Sequence, residues 1–176
     1  MGTWNSRGLR GSTLEEFINM ANEKYIEAGL ALIQKIPTPI KPIKIDPDSR
    51  KISLAYFDQK STVDYIGVVQ GIPVCFDAKE CATDTFPLQN IHKHQIEFMA
   101  KFEQQEGIAF IILYFSNRNE FYYLPFCDII TFWNRGQSGQ RKSFTYKEVN
   151  KDYKISPKQG LLVPYLDALQ KDILSR

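Results

Sequence analysis

The sequence predicts an α/β fold: a mixed central β-sheet flanked by helices, with a β-hairpin projecting from it. Three observations lead there. Segments with helical spacing of apolar residues alternate with runs rich in Val, Ile, Tyr and Phe, in the order helix, strand, hairpin, helix, strand, strand, helix. Ile108 to Phe115 is apolar without a break, as a strand buried on both faces would be. Residues 37–56 interrupt the first strand, and Pro37, Pro39, Pro42 and Pro47 bar them from the interior of a central sheet.

The chain has 176 residues, enough for one domain with a sizeable core, and no repeat or composition shift marks a second. Its net charge of +2 is too small to establish a nucleic-acid partner by itself, so any basic surface must come from local clustering. No apolar run reaches the ~18 residues of a membrane span, and Met1 to Gly8 lacks the apolar stretch of a signal peptide. Cys75, Cys81 and Cys127 have no metal-ligand spacing. Reduced, buried thiols in a cytoplasmic protein are expected, with Cys75 on the face opposite Asp64 and Asp77.

Taken in order, residues 1–11 read as a flexible basic arm whose Arg7 and Arg10 are placed to reach DNA phosphates. A helix opens at Ser12 or Thr13, where Glu15 or Glu16 completes a capping box, and runs to Gly29. Leu30 to Ile33 begins the first strand. Residues 37–56 then form a two-stranded arm turning at Asp46-Pro47-Asp48-Ser49, made basic by Lys35, Lys41, Lys44, Arg50 and Lys51. A solvated surface loop is the alternative.

Thr62 to Lys79 organises the rest. Two β-prone halves flank Gln70-Gly71, and Gly71 can supply the positive φ of a two-residue turn. That turn pairs Val69 with Ile72 and sets Asp64 opposite Asp77. Thr62, Asp64, Asp77 and Lys79 then share one face. Opposed carboxylates repel unless a cation lies between them. Mg²⁺ favours oxygen ligands of this kind and fills the rest of its shell with water and phosphate. Lys79 is placed to orient an attacking water or to offset charge in a phosphoryl transition state.

A helix is expected over about Leu88 to Gln105. Gln95 falls on its apolar stripe, where an amide needs hydrogen-bond partners. His92 and His94, two apart on a helix, would point away from each other. Phe121 to Leu124 forms another strand and Phe126 to Trp133 a short helix. Residues 134–160 are polar and basic, with Arg141 and Lys142 flanking DNA in one reading and solvated in the other. Leu161 to Ile173 gives a final amphipathic helix.

The blocks Ser61-Thr62-Val63-Asp64-Tyr65, Phe76-Asp77-Ala78-Lys79-Glu80, Phe86-Pro87-Leu88-Gln89-Asn90 and His94-Gln95-Ile96-Glu97 resemble the RecU-type Holliday-junction resolvases, of the PD-(D/E)xK nuclease superfamily. The resemblance runs from about Arg7 to the C-terminus. It departs at Asp77, where the family usually has Glu, and at Val63, where it usually has Thr. It implies a restriction-endonuclease-like core and a metal-dependent endonuclease that resolves four-way DNA junctions by paired nicks in recombination and repair, leaving 5′-phosphates. Asp64, Asp77 and Gln95 would serve Mg²⁺, with Mn²⁺ as a substitute. Lys79 and a first-helix carboxylate, Glu15 ahead of Glu16, would complete the catalytic set. The 37–56 arm would be a stalk entering the open centre of the junction, and a homodimer would present two sites to two equivalent strands. A repair nuclease for linear duplex and a non-catalytic junction-binding protein are the alternatives.

Overall fold

The computed structural model describes residues 8–58 and 62–176; Arg7 and the arm expected before it lie outside them. The chain forms α1 (Gly8–Glu27), β1 (Ala31–Lys35), β2 (Ile40–Ile45), β3 (Ile52–Phe57), β4 (Tyr65–Val69), β5 (Ile72–Cys81), β6 (Thr85–Pro87), α2 (Lys93–Gln104), β7 (Ile108–Phe115), β8 (Glu120–Pro125), α3 (Phe126–Gln137), β9 (Ser143–Thr145), β10 (Lys154–Ile155) and α4 (Leu166–Ser175). Six strands make the central sheet in the order β1-β4-β5-β7-β8-β10. β5 and β7 run parallel, and every other neighbouring pair is antiparallel. The expected mixed α/β architecture is therefore present.

Alternation along β5 separates two cores. Val74 and Phe76 point toward α1 and α4, among Leu14, Ile18, Phe110 and Tyr165. Cys75 faces the other side, toward α2 and α3, among Ile96, Met99, Ile111 and Ile129. Residues two apart on a strand share a face, so Cys75 lies on the same side as Asp77, not opposite it as expected. Cys75 and Cys81 are buried, while Cys127 is exposed rather than packed.

The hairpin pairing follows the predicted register, with Val69 opposite Ile72 and Tyr65 opposite Phe76. Gln70 and Gly71 both take positive φ, 47° and 90°, as a primed two-residue turn demands. An aromatic ladder fixes this register further out. Tyr65 stacks on Phe76, Phe76 on Phe110 and Phe110 on Tyr123, with ring centroids 4.7, 4.6 and 4.4 Å apart. Cross-strand aromatic pairs of this kind contribute about 0.5–1.5 kcal/mol each beyond their area. Slipping the hairpin by one residue would break the ladder and turn Asp77 into the opposite core.

β2 and β3 form a two-stranded sheet of their own, entered from β1 through residues 36–39. Nearly every residue of the pair is exposed, Ile43, Leu54 and Phe57 included. Asp46 accepts hydrogen bonds from the Asp48 N–H and the Ser49 hydroxyl, closing the predicted turn. The pairing shifts register on either side of Lys44, as a ribbon holding Pro42 must wherever a ladder donor is missing.

Elsewhere the elements depart from expectation in ways the backbone explains. α1 begins at Gly8, so Gly8 to Gly11 extend the helix instead of forming a loose arm; a capping pattern at Ser12 marks a possible start without preventing an upstream ladder. The helix expected from Leu88 is a single 3-10 turn, Leu88–Asn90, followed by a break and then α2. α3 continues to Gln137, into the segment expected to be a loop, and β6 pairs with β9. α4 starts only at Leu166, although Leu161 and Tyr165 ahead of it are buried as expected.

Candidate active site

The site lies where β4 begins and β5 passes the N-terminus of α2. Asp64 sits one residue before β4, and its carbonyl accepts a 2.8 Å bond from the Ile36 N–H at the foot of the arm. Its own N–H donates to Asp77 Oδ1 at 2.9 Å. The Ala78 N–H in turn donates to Asp64 Oδ2 at 2.9 Å. The two acids are thus held face to face by reciprocal side-chain-to-backbone bonds that extend the ladder by one step.

Asp77 is fully buried. Its Oδ2 meets Lys79 Nζ at 2.8 Å and Gln95 Nε2 at 2.5 Å. Lys79 keeps part of its side chain in solvent, so its ammonium spans the buried acid and the surface. The Asp64 carboxyl is pushed up to about 6, first by burial and then by the charge on Asp77, against the opposing pull of the Ala78 N–H and Lys79. The pair therefore favours a proton, or another cation, between its members.

Gln95 lies in the first turn of α2 and is buried. Its Oε1 accepts a 2.9 Å bond from the His92 N–H, so the side chain also serves the helix start. His92 is extended rather than helical, with φ −84° and ψ 148°. Its ring consequently stacks on His94 at 5.3 Å instead of pointing away, which corrects the helical reading of that pair. The His92-x-x-Gln95 spacing is that of a capping box and carried this information in the sequence.

Other expected residues are distributed more widely. Glu15 projects from α1 and is partly buried, while Glu16 is exposed. Glu15 bonds Lys35 at 2.5 Å; Lys35 precedes the Ile36 that anchors Asp64. Among the described residues no three His, Cys, Asp or Glu side chains gather as a metal cluster. Lys41, Lys44, Arg50 and Lys51 stand exposed along the projecting pair. Arg10 falls in the first turns of α1, and Arg7 lies outside the described residues. Arg141 is engaged with Glu148 and the Ser143 carbonyl, so it is less available than expected. Lys142 is exposed. Sequence reasoning counted Lys35 only toward the basic arm and missed its pairing with Glu15, which a contact between α1 and β1 creates.

Two opposed carboxylates with an ammonium group beside them offer hard oxygen donors to a divalent cation and positive charge to a phosphoryl group. Such an arrangement suits the phosphodiester chemistry of the nuclease class. The chain belongs to the RecU family, Recombination protein U, whose profile matches residues 9–171. It is 43% identical over 169 residues to the Holliday junction resolvase RecU of Levilactobacillus brevis, covering 93% of this chain and 84% of that one. It is 44% identical over 146 residues to the protein of the same name from Bacillus cytotoxicus, covering 81% and 73%. For the one from Bacillus cereus the identity is 46% over 144 residues, covering 80% and 72%. Among solved structures, the Holliday junction resolvase Hjc of Archaeoglobus fulgidus is similar with a TM-score of 0.40 and 9% identity, over 68% of this chain and 75% of that one.

Proposed function

We propose that this chain is a metal-dependent endonuclease that resolves four-way DNA junctions by paired nicks. The observation that carries the reading is the opposition of Asp64 and Asp77, with Lys79 paired to the buried acid. Family membership and the names of the relatives support it independently.

The donor set fits Mg²⁺ or Mn²⁺: oxygen only, doubly acidic, and with one acid raised toward a proton by burial and then by its neighbour's charge. Asp64 and Asp77 would hold the ion. When bound, a divalent cation lowers the pKa of its water and offsets charge on the phosphoryl group. Lys79 orients the attacking water and stabilises the anionic transition state from its partly solvated position. Glu15 lies in reserve on α1, released from Lys35 when phosphate takes that cation. The arm at residues 37–56 gauges junction shape, with Lys41, Lys44, Arg50 and Lys51 against the phosphates around the crossover. Arg7, Arg10, Arg141 and Lys142 add phosphate contacts at the flanks. One domain carries all of this, and a two-fold homodimer supplies two sites for two strands. Among the described residues no helix is long and apolar enough to cross a membrane; a DNA substrate is in keeping with a cytoplasmic protein.

The test uses wild type and Asp77→Asn on a synthetic four-way junction and a matched linear duplex, with and without Mg²⁺ or Mn²⁺. Metal-dependent cutting of the junction by wild type alone is the expected result. Equal cutting of the linear duplex would favour a repair nuclease. Binding without cutting would leave a junction-binding role.

A further inference from the structure

We infer that Lys151 holds a backbone phosphate of the duplex arm running on from the cut, with Arg118, Lys147 and Lys154 lending charge around it. The inference rests on the nuclease reading above and extends the DNA surface to residues that reading leaves unused.

The place of Lys151 follows from the sheet register. Lys79 on β5 pairs with Leu113 on β7, Leu113 with Tyr122 on β8, and Tyr122 with Lys154 on β10. These residues form a row on the face that carries Asp77, since Leu113 and Tyr122 belong to the core on the α2 side. Strands lie about 4.8 Å apart, so the backbone at Tyr122 is roughly 10 Å from that at Lys79, and Lys154 roughly 14 Å. Lys151 Nζ lies 4.7 Å from the centre of the Tyr122 ring and 3.2 Å from that of Tyr146, and it donates to the Tyr146 carbonyl. Each strand of a duplex rises about 3.4 Å per nucleotide, so for DNA laid along this row Lys151 meets the strand about three nucleotides from Lys79.

The charges around it favour an anion. Arg118 closes two hydrogen bonds on Asp84, at 2.7 and 2.5 Å, and Lys154 bonds Glu120 at 2.6 Å. Those bonds hold both carboxyls down at about 2, so the acids stay ionised and occupied. Lys151 is the cation left over. Among the described residues it forms no ion pair, not even with Asp152 beside it in the chain. Burial and the charges of Arg118 and Lys154 hold its ammonium below the usual lysine range, against the pull of Glu120. Lys147 is exposed and adds positive charge near Asp84. Arg118 lies over the same Tyr146 ring as Lys151, 4.0 Å from its centre. Two cations crowded on one ring are relieved by an anion that both can reach, and a phosphate supplies the charge and the acceptor oxygens. Such a contact fixes the position of the DNA and is indifferent to its sequence.

The experiment measures DNA binding by the full chain in EDTA, by fluorescence anisotropy over a series of salt concentrations. Lys151→Gln removes the charge and keeps a donor for the Tyr146 carbonyl, while Lys151→Arg keeps the charge. Lys158→Gln is the control, since Lys158 pairs with Asp167 of α4, which packs on the other side of the sheet. The slope of log affinity against log salt should become shallower by about one in Lys151→Gln, equally on a four-way junction and on linear duplex. Lys151→Arg and Lys158→Gln should keep the wild-type slope. A wild-type slope in Lys151→Gln, or a loss confined to the junction, would overturn the inference. So would a slope in Lys151→Arg as shallow as that of the Gln variant, which would mark a packing role alone.

Lysine-acetylation footprinting of wild type, read by mass spectrometry, covers the case in which Lys151→Gln does not fold. Duplex should shield Lys151 and leave Lys158 open to the reagent; equal labelling of Lys151 with and without duplex would sink the idea. Neither readout involves cutting. Wild type that binds DNA and cuts nothing removes the nuclease reading and leaves this test intact, whereas cutting by wild type with Lys151 unshielded removes the inference alone.

Discussion

Replacing Asp64 with Asn should stabilise the metal-free protein while removing its cutting activity. In the fold the Asp64 carboxyl is raised from its ordinary 3.8 to about 6, burial contributing most and the Asp77 charge next. Each factor of ten in proton affinity is worth about 1.4 kcal/mol, so ionised Asp64 costs the folded state about 3 kcal/mol relative to the unfolded chain at neutral pH. The sign follows from the unfolded chain releasing its proton first. The cost is absent below pH 3.8, grows as pH rises toward 6, and is complete above that. Asn carries no charge, keeps an oxygen for the Ala78 N–H, and still pays part of the desolvation of a polar group. A gain of about 2 kcal/mol at pH 7 is expected, or about 4–8 °C in melting temperature for a chain of this size. The assay is thermal unfolding in EDTA at equal protein concentration, at pH 7 and near pH 4. The gap between variant and wild type should be wide at the first and nearly closed at the second. Added Mg²⁺ or Mn²⁺ should raise the wild-type melting temperature and leave the variant unmoved, because only the wild type gains a bound ion. An Asn variant that melts below wild type at pH 7, or a gap that does not shrink with acid, would show that the paired acids are not in conflict.

Two further outcomes test the framework around the site. Gly67→Ala should destabilise the fold by about 2 kcal/mol or more, because a Cβ there would lie 2.1 Å from the Leu32 carbonyl oxygen and 2.7 Å from Ile33 Cα on β1; urea unfolding reads this, and an unchanged midpoint would mean that β1 yields freely. Removing residues 38–54 should leave the melting temperature nearly unchanged, since the β2-β3 pair is exposed almost throughout, while abolishing the preference for a four-way junction over linear duplex in a competition binding assay. Retained preference would dismiss the arm as the shape gauge.

The legible parts of this protein are those whose signal is local. The Gln70-Gly71 turn, the β-branched and aromatic residues beside it, and the proline-studded insertion all announce themselves within a few residues. From them the opposition of Asp64 and Asp77 follows by counting, and the pairing of Tyr65 with Phe76 agrees with it. Face assignment along β5 was equally open to counting, since Cys75 and Asp77 differ by two; the structure sets both toward α2. The start of α2 was harder. Apolar residues at Leu88 and Ile91 continue a helical pattern backward, and both are buried, so periodicity alone could not show that the chain is extended at His92.

What no local pattern carried is how α1 meets β1. Glu15 and Glu16 are equivalent as caps and differ only because the helix turns one inward, onto a lysine twenty positions away in the chain. The bond from Ile36 to the Asp64 carbonyl is of the same kind. It fastens the outgoing leg of the arm to the first acid. A force on the outgoing leg of the arm would therefore reach the backbone of Asp64, whose carboxyl is pushed up to about 6 by burial and then by the charge on Asp77.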